Sequence, residues 1–414
     1  MKAEPTSQTH RVGLASALSA LQHRDFALFW AGAFLSFCGS WVQTFGQQAL
    51  VYEMTGSKLH LGLITFIGAI PLFFSPFFGW IADRCNKRVV LVICQTAFAL
   101  SALTLFIALK GNWASFELMC GLAFMNGLTS VVEIPTRQSL ISRVVPPEDL
   151  ASAIPLNAAA FNGARIVGPW IGGLLLVWTG YSTLYLINAI SFVALISAVL
   201  AIRSDLRATE GFATGIRESL FEGMRYVWMT PAFRLLVLML ITNSLFGLNY
   251  FSQLAAFSKS HLGLNEAGLS HLMTCVGLGA VAGLIGIAAA SRAPLKGWIP
   301  LVSMLGFGIS LLGLTFANSF PTAGAACVFL GVFGAGHMAG TNTALQYYAP
   351  PELRGRVVSV HAWALGGIWP IGSLILGNTA QQIGLIPALR IGSVVVLIVA
   401  ILAFVFGSAV KQLE

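Results

Sequence analysis

Charge is what this chain lacks most. Of its 414 residues only 9% are Asp, Glu, Lys or Arg, against the ~25% of an ordinary water-exposed domain. With 57% hydrophobic residues, that scarcity excludes a soluble globular surface and leaves a chain that crosses lipid repeatedly. Cysteines are few as well. The six are set singly, with no C-x-x-C pair and mostly within apolar runs, so neither a disulfide frame nor a thiolate metal site is implied. The H-E-x-x-H and DDxxD patterns of metal-dependent intramembrane enzymes are absent, and no phosphate loop is present, so no enzyme activity, no cofactor and no direct use of ATP are expected. The first 25 residues hold no long apolar core followed by a cleavage site, so they are expected to be a cytosolic segment and not a signal peptide.

What is present is a series of apolar runs, each near the ~20 residues needed to cross a ~30 Å hydrocarbon core. They lie near 26–52, 59–82, 88–109, 114–136, 151–178 and 181–202, then near 232–257, 266–290, 298–317, 321–347, 355–382 and 386–407. The expected fold is an all-α membrane protein of twelve helices in two pseudo-symmetric halves, 26–203 and 232–414. The 204–231 linker between them is the longest polar segment. In it Ile216, Leu220, Phe221, Met224 and Trp228 fall on one helical side and Arg217, Glu218, Glu222 and Arg225 on the other, which predicts an interfacial helix.

Orientation follows from the basic residues. When the 23 Lys and Arg are sorted over alternating loops, one side holds only Lys58, Lys110, Lys259 and Arg390, Arg165 falls inside a span, and the rest gather on the side of the termini and linker. That side is expected to be cytosolic, in a bacterial inner membrane. An anionic lipid surface is sufficient partner for the net charge of +8, without nucleic acid. A repeat supports the division: RVVPPEDLASAIPLN (143–157) and YYAPPELRGRVVSVH (347–361) each precede a long Gly-rich span, interrupted at Gly168-Pro169 and Trp369-Pro370.

Between the second and third spans lies GWIADRCNKRVVL, a short charged connection that must turn tightly at the cytosolic face. Gly79-x-x-Ala82-Asp83-Arg84-x-x-Lys87-Arg88-x-x-Leu91 resembles the signature loop of the major facilitator superfamily, with Asn86 where that pattern usually has Gly; Asn also tolerates a left-handed turn. Gly168-Pro169-x-x-Gly172-Gly173 is similar to the GPxxGG pattern of the superfamily's antiporters. Glu133-x-Pro135-x-Arg137-Gln138, Asn157, Phe161-Asn162-x-x-Arg165 and Arg354-Gly355-Arg356-Val357 resemble the branch that includes the enterobactin exporter and macrolide efflux proteins. The superfamily's fourth-span arginine is absent, its place falling near Ala123. The resemblance implies alternating access, protons as the coupling ion and a functional monomer. It also implies a gating loop, with Asp83 facing Arg354, Arg356 or the N-terminal end of span eleven while Arg84, Lys87 and Arg88 meet headgroups or acidic partners.

Inside the spans the polar residues are few enough to weigh singly. Arg165 lies roughly 22 Å from the cytosolic end of its span at 1.5 Å per residue, where a lone cation is either structurally paired or serves to attract an anion or couple transport. Asn126, Ser130, Glu133 and Arg137 share one face of span four and imply a cavity, with Glu133 either a coupling carboxylate or the partner of Arg137 in an i, i+4 ion pair. Ser36, Ser40, Gln43 and Gln47 on span one, Asn243, Phe246, Tyr250 and Gln253 on span seven, and Thr341 on span ten are candidate substrate contacts, because spans one, four, seven and ten line the cavity of the family; each could instead join helices. His337 and His361 are further coupling candidates. The small residues of GLGAVAG (277–283) and the ladder Ala160, Ala164, Gly168 and Gly172 serve close helix packing, the ladder at the seam between halves.

The expected function is export of a small amphipathic molecule by alternating access, coupled to proton antiport. Import or lysolipid flipping by the same fold is the alternative, and a transporter-shaped sensor or scaffold the rival from another class.

Overall fold

No water satisfies backbone N–H and C=O groups inside hydrocarbon, so an apolar run must satisfy its own within a helix. The computed structural model describes residues 18–74, 85–207, 216–290 and 297–411, and among the described residues there is no β-strand. The helices are α1 (Arg24–Thr55), α2 (Lys58–Ala69, continued by a 3-10 turn Ile70–Phe74), α3 (Lys87–Lys110), α4 (Phe116–Val144), α5 (Leu150–Thr179), α6 (Tyr181–Ala201) and the linker helix α7 (Ile216–Met229). There follow α8 (Pro231–Thr242), α9 (Glu266–Ala290), α10 (Trp298–Leu314), α11 (Phe320–Tyr348), α12 (Arg354–Ala362), α13 (Trp369–Ile383) and α14 (Leu385–Phe406). Counting α8 with its continuation to His261 and α12 with α13, ten of these elements are long and apolar enough to cross a membrane, and Lys58–Phe74 and Trp298–Leu314 are shorter apolar helices. Ile93, Val177, Trp178, Ile285 and Phe406 stand exposed, an apolar exterior suited to lipid.

Local chemistry sets the helix ends. Ser57, Asn86 and Ser115 accept from the backbone N–H groups of His60, Arg88 and Leu118, capping α2, α3 and α4. Asn86 thus serves as an N-cap in extended backbone, not as the left-handed turn residue expected of it. Gly180 (φ 77°) and Gly384 (φ 93°) make the corresponding one-residue turns before α6 and α14, in a region that disfavours side chains. The repeat keeps its register: α4 and α11 end at Val144 and Tyr348, and α5 and α12 begin at Leu150 and Arg354, the same distance from each Pro-Pro-Glu.

Two spans are irregular where the apolar pattern is continuous. Beyond Thr242 the chain passes through a π turn (Asn243–Gly247), a 3-10 stretch (Leu248–Gln253) and a second π turn (Phe257–His261). Gly247 fits closely there, a Cβ falling 2.0 Å from Asn243 Oδ1 and 2.9 Å from the Phe307 ring. A π turn at Trp363–Gly367 separates α12 from α13, where Pro370 has no N–H for the Gly366 carbonyl.

Taking the helices before the linker helix as the first half of the chain and those after it as the second, α1 packs on α5 and α6, and α3 on α6, while α11 packs on α9 and α10, and α14 on α10. The main seams between the halves are α2 with α13 and α5 with α9. The Gly168 and Gly172 rungs of the α5 ladder do not sit at that seam. A Cβ on Gly168 would meet Trp41 and one on Gly172 would meet Phe45, both on α1. The seam uses the adjacent face: a Cβ on Gly173 would meet Ser270, and the Pro169 carbonyl accepts from Ser270 Oγ at 2.8 Å. One residue turns ~100° around a helix, so adjacent glycines serve different neighbours. The linker helix packs on α12, where Gly223 approaches the Arg356 backbone, Val227 is buried and Trp228, expected on the apolar side, is exposed.

Candidate transport pathway between the halves

Six turns are tied together at one end of the molecule. Glu53 accepts from Tyr181 Oη at 2.5 Å, and Lys259 lies 4.0 Å from Glu53 and 3.6 Å from Glu266. His60 meets the Phe116 ring, His261 bonds the Ala317 carbonyl and Arg390 reaches Thr315. Polar contacts between the halves gather toward this end: the Lys58 N–H donates to Gln381 Oε1 at 3.1 Å, and Gln253 Nε2 donates to the Lys58 carbonyl at 3.0 Å. Below them Gly62 lies against Gly377, so close that a Cβ would stand 2.3 Å from the Ser373 carbonyl. At the other end the halves meet through the rings of Phe73 and Trp363, 5.9 Å apart.

Midway along α5, Arg165 sits at the seam. The α5 backbone at this residue is pressed against Gly277 of α9, and the guanidinium lies over Trp41 of α1 at 5.6 Å and over Phe251 of the second half at 5.7 Å. Its Nε is buried without a hydrogen-bond partner, and no carboxylate pairs with it among the described residues. Asn162, three residues before it, does not pair with it; Asn162 Nδ2 donates to the Ala158 carbonyl. Sequence reasoning singled out Arg165 but missed Trp41 and Phe251, which stand in apolar runs rich in aromatics and carry no signal of their own.

The span-four stripe does not line an open cavity along its length. Glu133 is 4% exposed, accepts from Gln95 Nε2 of α3 at 3.3 Å and pairs with Arg137 at 3.4 Å. Arg137 covers the Phe37 ring at 4.4 Å, and Ser130 Oγ donates to the Asn126 carbonyl one turn back. Gln95 and Phe37 are the partners that sequence could not identify. On α1, Ser36 is buried, Ser40 donates to the Ser36 carbonyl, and Gln43 accepts from Asn188 of α6 at 2.6 Å, so Gln43 joins helices within the first half. Gln47 is half-buried.

The second-half candidates are mostly inside that half. Asn243 is fully buried with both amide atoms unpartnered, Phe246 is half-buried with its backbone against Gly392, and Tyr250 is buried with its ring 6.0 Å from Phe307. Gln253 bonds Lys58 as described, and Thr341 is buried. His337 Nδ1 lies 3.1 Å from the Pro300 carbonyl; His361 is buried too, and the Nε2 atoms of both rings have no partner.

Of the charged loop, Gly79, Asp83 and Arg84 lie outside the described residues. Lys87 is buried, and Arg88 donates to the Ile202 and Ser204 carbonyls just after α6, so Arg88 is anchored within the protein where a headgroup or an acidic partner was expected. Arg356 pairs with Glu222 of the linker helix, and Arg354 is exposed.

Residues 15–413 match the family MFS_3, described as transmembrane secretion effector. The chain is 26% identical over 404 residues to the multidrug efflux pump Tap of Mycolicibacterium fortuitum, covering 94% of this chain and 96% of that protein. It is 25% identical to the staphyloferrin A transporter of Staphylococcus aureus, covering 86% and 90% respectively. A bacterial homologue of the lysosomal transporter Spinster, crystallised inward-facing and unoccupied, superposes with a TM-score of 0.74 at 16% identity, over 97% of this chain and 99% of that one.

Proposed function

The chain belongs to the transmembrane secretion effector family of the major facilitator superfamily, and from that premise we propose that it is a proton-coupled exporter of small amphipathic molecules. It is a multi-pass protein of the bacterial cell membrane. In our reading it has twelve spans in two six-helix halves, 26–203 and 232–414, joined by a 204–231 linker, with both termini and the linker cytosolic, and it works as a monomer. The name of one relative, the multidrug efflux pump Tap, supports export over import; that of the staphyloferrin A transporter gives no direction.

The observation that carries alternating access is the uneven seam. Polar and glycine contacts join α2 to α13 and α1 to α8's continuation at the Lys58 end, whereas at mid-depth Trp41 of α1 meets Phe251 of the second half edge-on, ring centroids 6.0 Å apart, with the Arg165 guanidinium over both. Rocking the halves about α5 and α9 would part the Lys58–Gln381 contact and expose Arg165 to the other side. The cytosolic loop of Gly79, Asp83 and Arg84 would then close on Arg354, with Arg356 exchanging its Glu222 partner.

For proton coupling the leading group is Glu133. A proton on this carboxylate would cancel its attraction for Arg137 and release that guanidinium along the Phe37 face, converting protonation into movement. His337 and His361, each with an unpartnered Nε2, are the second choice. The test is uphill transport in sealed vesicles driven by an imposed pH gradient. Glu133→Gln should abolish gradient-driven accumulation while keeping downhill exchange; unchanged accumulation would move the proton to the histidines, and no gradient dependence in the parent protein would overturn proton coupling.

A further inference from the structure

We infer that Arg165, Trp41 and Phe251 form a recognition site for a planar organic anion, a carboxylate carried on an aromatic or conjugated body. This rests on the transport reading and gives its substrate a chemical class. A guanidinium carries five N–H donors, and an isolated cation at membrane depth is costly. Glu133, a buried ionic group, is satisfied within the protein by Gln95 and Arg137. Arg165 has only ring faces, and its Nε has no acceptor among the described residues. Those rings come from both halves and meet edge-on at 6.0 Å, and all three residues are half-buried and not sealed in a core.

The arrangement selects by charge and by shape. An Arg fork matches a carboxylate in its plane with two parallel hydrogen bonds. The flanking Trp41 and Phe251 faces, with Phe161 against Trp41 at 6.1 Å, offer a planar body apolar surface. A cationic drug would meet uncompensated like charge where the halves meet at mid-depth. Because Trp41 and Phe251 belong to different halves, a bound anion would touch both and sense their relative movement.

The experiment uses the detergent-purified full chain and three matched ligand sets: aryl carboxylates of one to three rings such as benzoate and 1-naphthoate, their neutral amides, and the corresponding arylmethylammonium ions. Binding is read by the thermal unfolding midpoint and by tryptophan quenching. At least one carboxylate should bind better than its amide and its amine, with affinity falling roughly tenfold or more in Arg165→Gln and only in part in Arg165→Lys. Should Arg165→Gln fail to fold, Arg165→Lys and Phe251→Leu carry the comparison, the latter weakening aryl over alkyl carboxylates. Tighter binding of amines, equal carboxylate binding by parent and Arg165 variants, or no carboxylate binding at all would overturn the site. Transport of the same ligands in vesicles separates the two ideas: carboxylates bound but never moved would defeat the transport reading and leave the site, and amines moved without carboxylate binding would do the reverse.

Discussion

Glu133 and Arg137 form an ion pair across one turn of α4, 3.4 Å apart, with the carboxylate also held by Gln95 from α3. Removing one member strands the other in a largely desolvated place, which costs ~3–5 kcal/mol for a fully buried pair. Arg137 retains 17% side-chain exposure, so Glu133→Gln should cost about 2 kcal/mol, below that range. Arg137→Gln on the same background should recover at least half of the loss. Thermal unfolding of the two single variants and the double variant measures the coupling; strictly additive losses would show that the pair contributes nothing to stability.

The turns tied together by Glu53, Lys259 and Gln381 should face the outside of the cell. In a variant lacking the six native cysteines, Asn112→Cys, exposed in the turn between α3 and α4, should react with an impermeant maleimide in intact cells. Arg203→Cys, exposed just after α6, should react only once the membrane is opened. The reverse pattern would invert the topology.

The spans were legible because hydrocarbon imposes one demand on every crossing segment, and apolar runs bounded by charge meet it openly: the run read as 151–178 is the helix Leu150–Thr179, and 386–407 is Leu385–Phe406. Partners were not legible. Gln43 shows a helical face in the sequence, yet which helix that face meets depends on rotation, and it meets Asn188 of α6 and not the cavity. The same limit hid the choice of Gly168 for α1 and Gly173 for α9. Helix breaks such as Asn243–Gly247 were invisible because a π turn keeps the apolar composition while changing only the backbone bonding. Arg165 was conspicuous because a cation is rare at that depth, whereas Trp41 and Phe251 were two aromatics among many.

The linker helix should be held more by shape than by charge. The Glu222–Arg356 pair is partly exposed, and such pairs contribute ~0–1 kcal/mol. At Gly223 an added Cβ would stand 2.8 Å from the Arg356 carbonyl oxygen. Glu222→Ala should therefore change the trypsin cleavage rate at Arg225 by less than about twofold, whereas Gly223→Leu should lift the helix and speed cleavage several-fold. Equal rates in the two variants would contradict the close packing of α7 on α12.

Closure at the Lys58 end depends on two glycines meeting, which gives a comparison within a single helix. A Cβ at Gly62 would lie 2.3 Å from the Ser373 carbonyl oxygen and 3.1 Å from Gly377 Cα, both backbone atoms of α13 that cannot turn aside. At Gly68, two turns along α2, the nearest atom would be the Ala123 Cβ at 3.4 Å, an ordinary contact within the first half. Gly62→Ala should therefore push α2 and α13 apart and strain the Lys58–Gln381 bond, at an overpacking cost of ~1–3 kcal/mol. Gly68→Ala should be nearly neutral. Because only the closed arrangement suffers at Gly62, the halves should still fold but spend less time closed. Spin labels at Met54 and Gln382, exposed on α1 and α13, should report a longer or broader distance in Gly62→Ala and the parent distribution in Gly68→Ala. Transport by Gly62→Ala should fall in step with that shift. Matching distances in all three proteins, with transport intact, would mean that the glycine contact between α2 and α13 is not what closes this end.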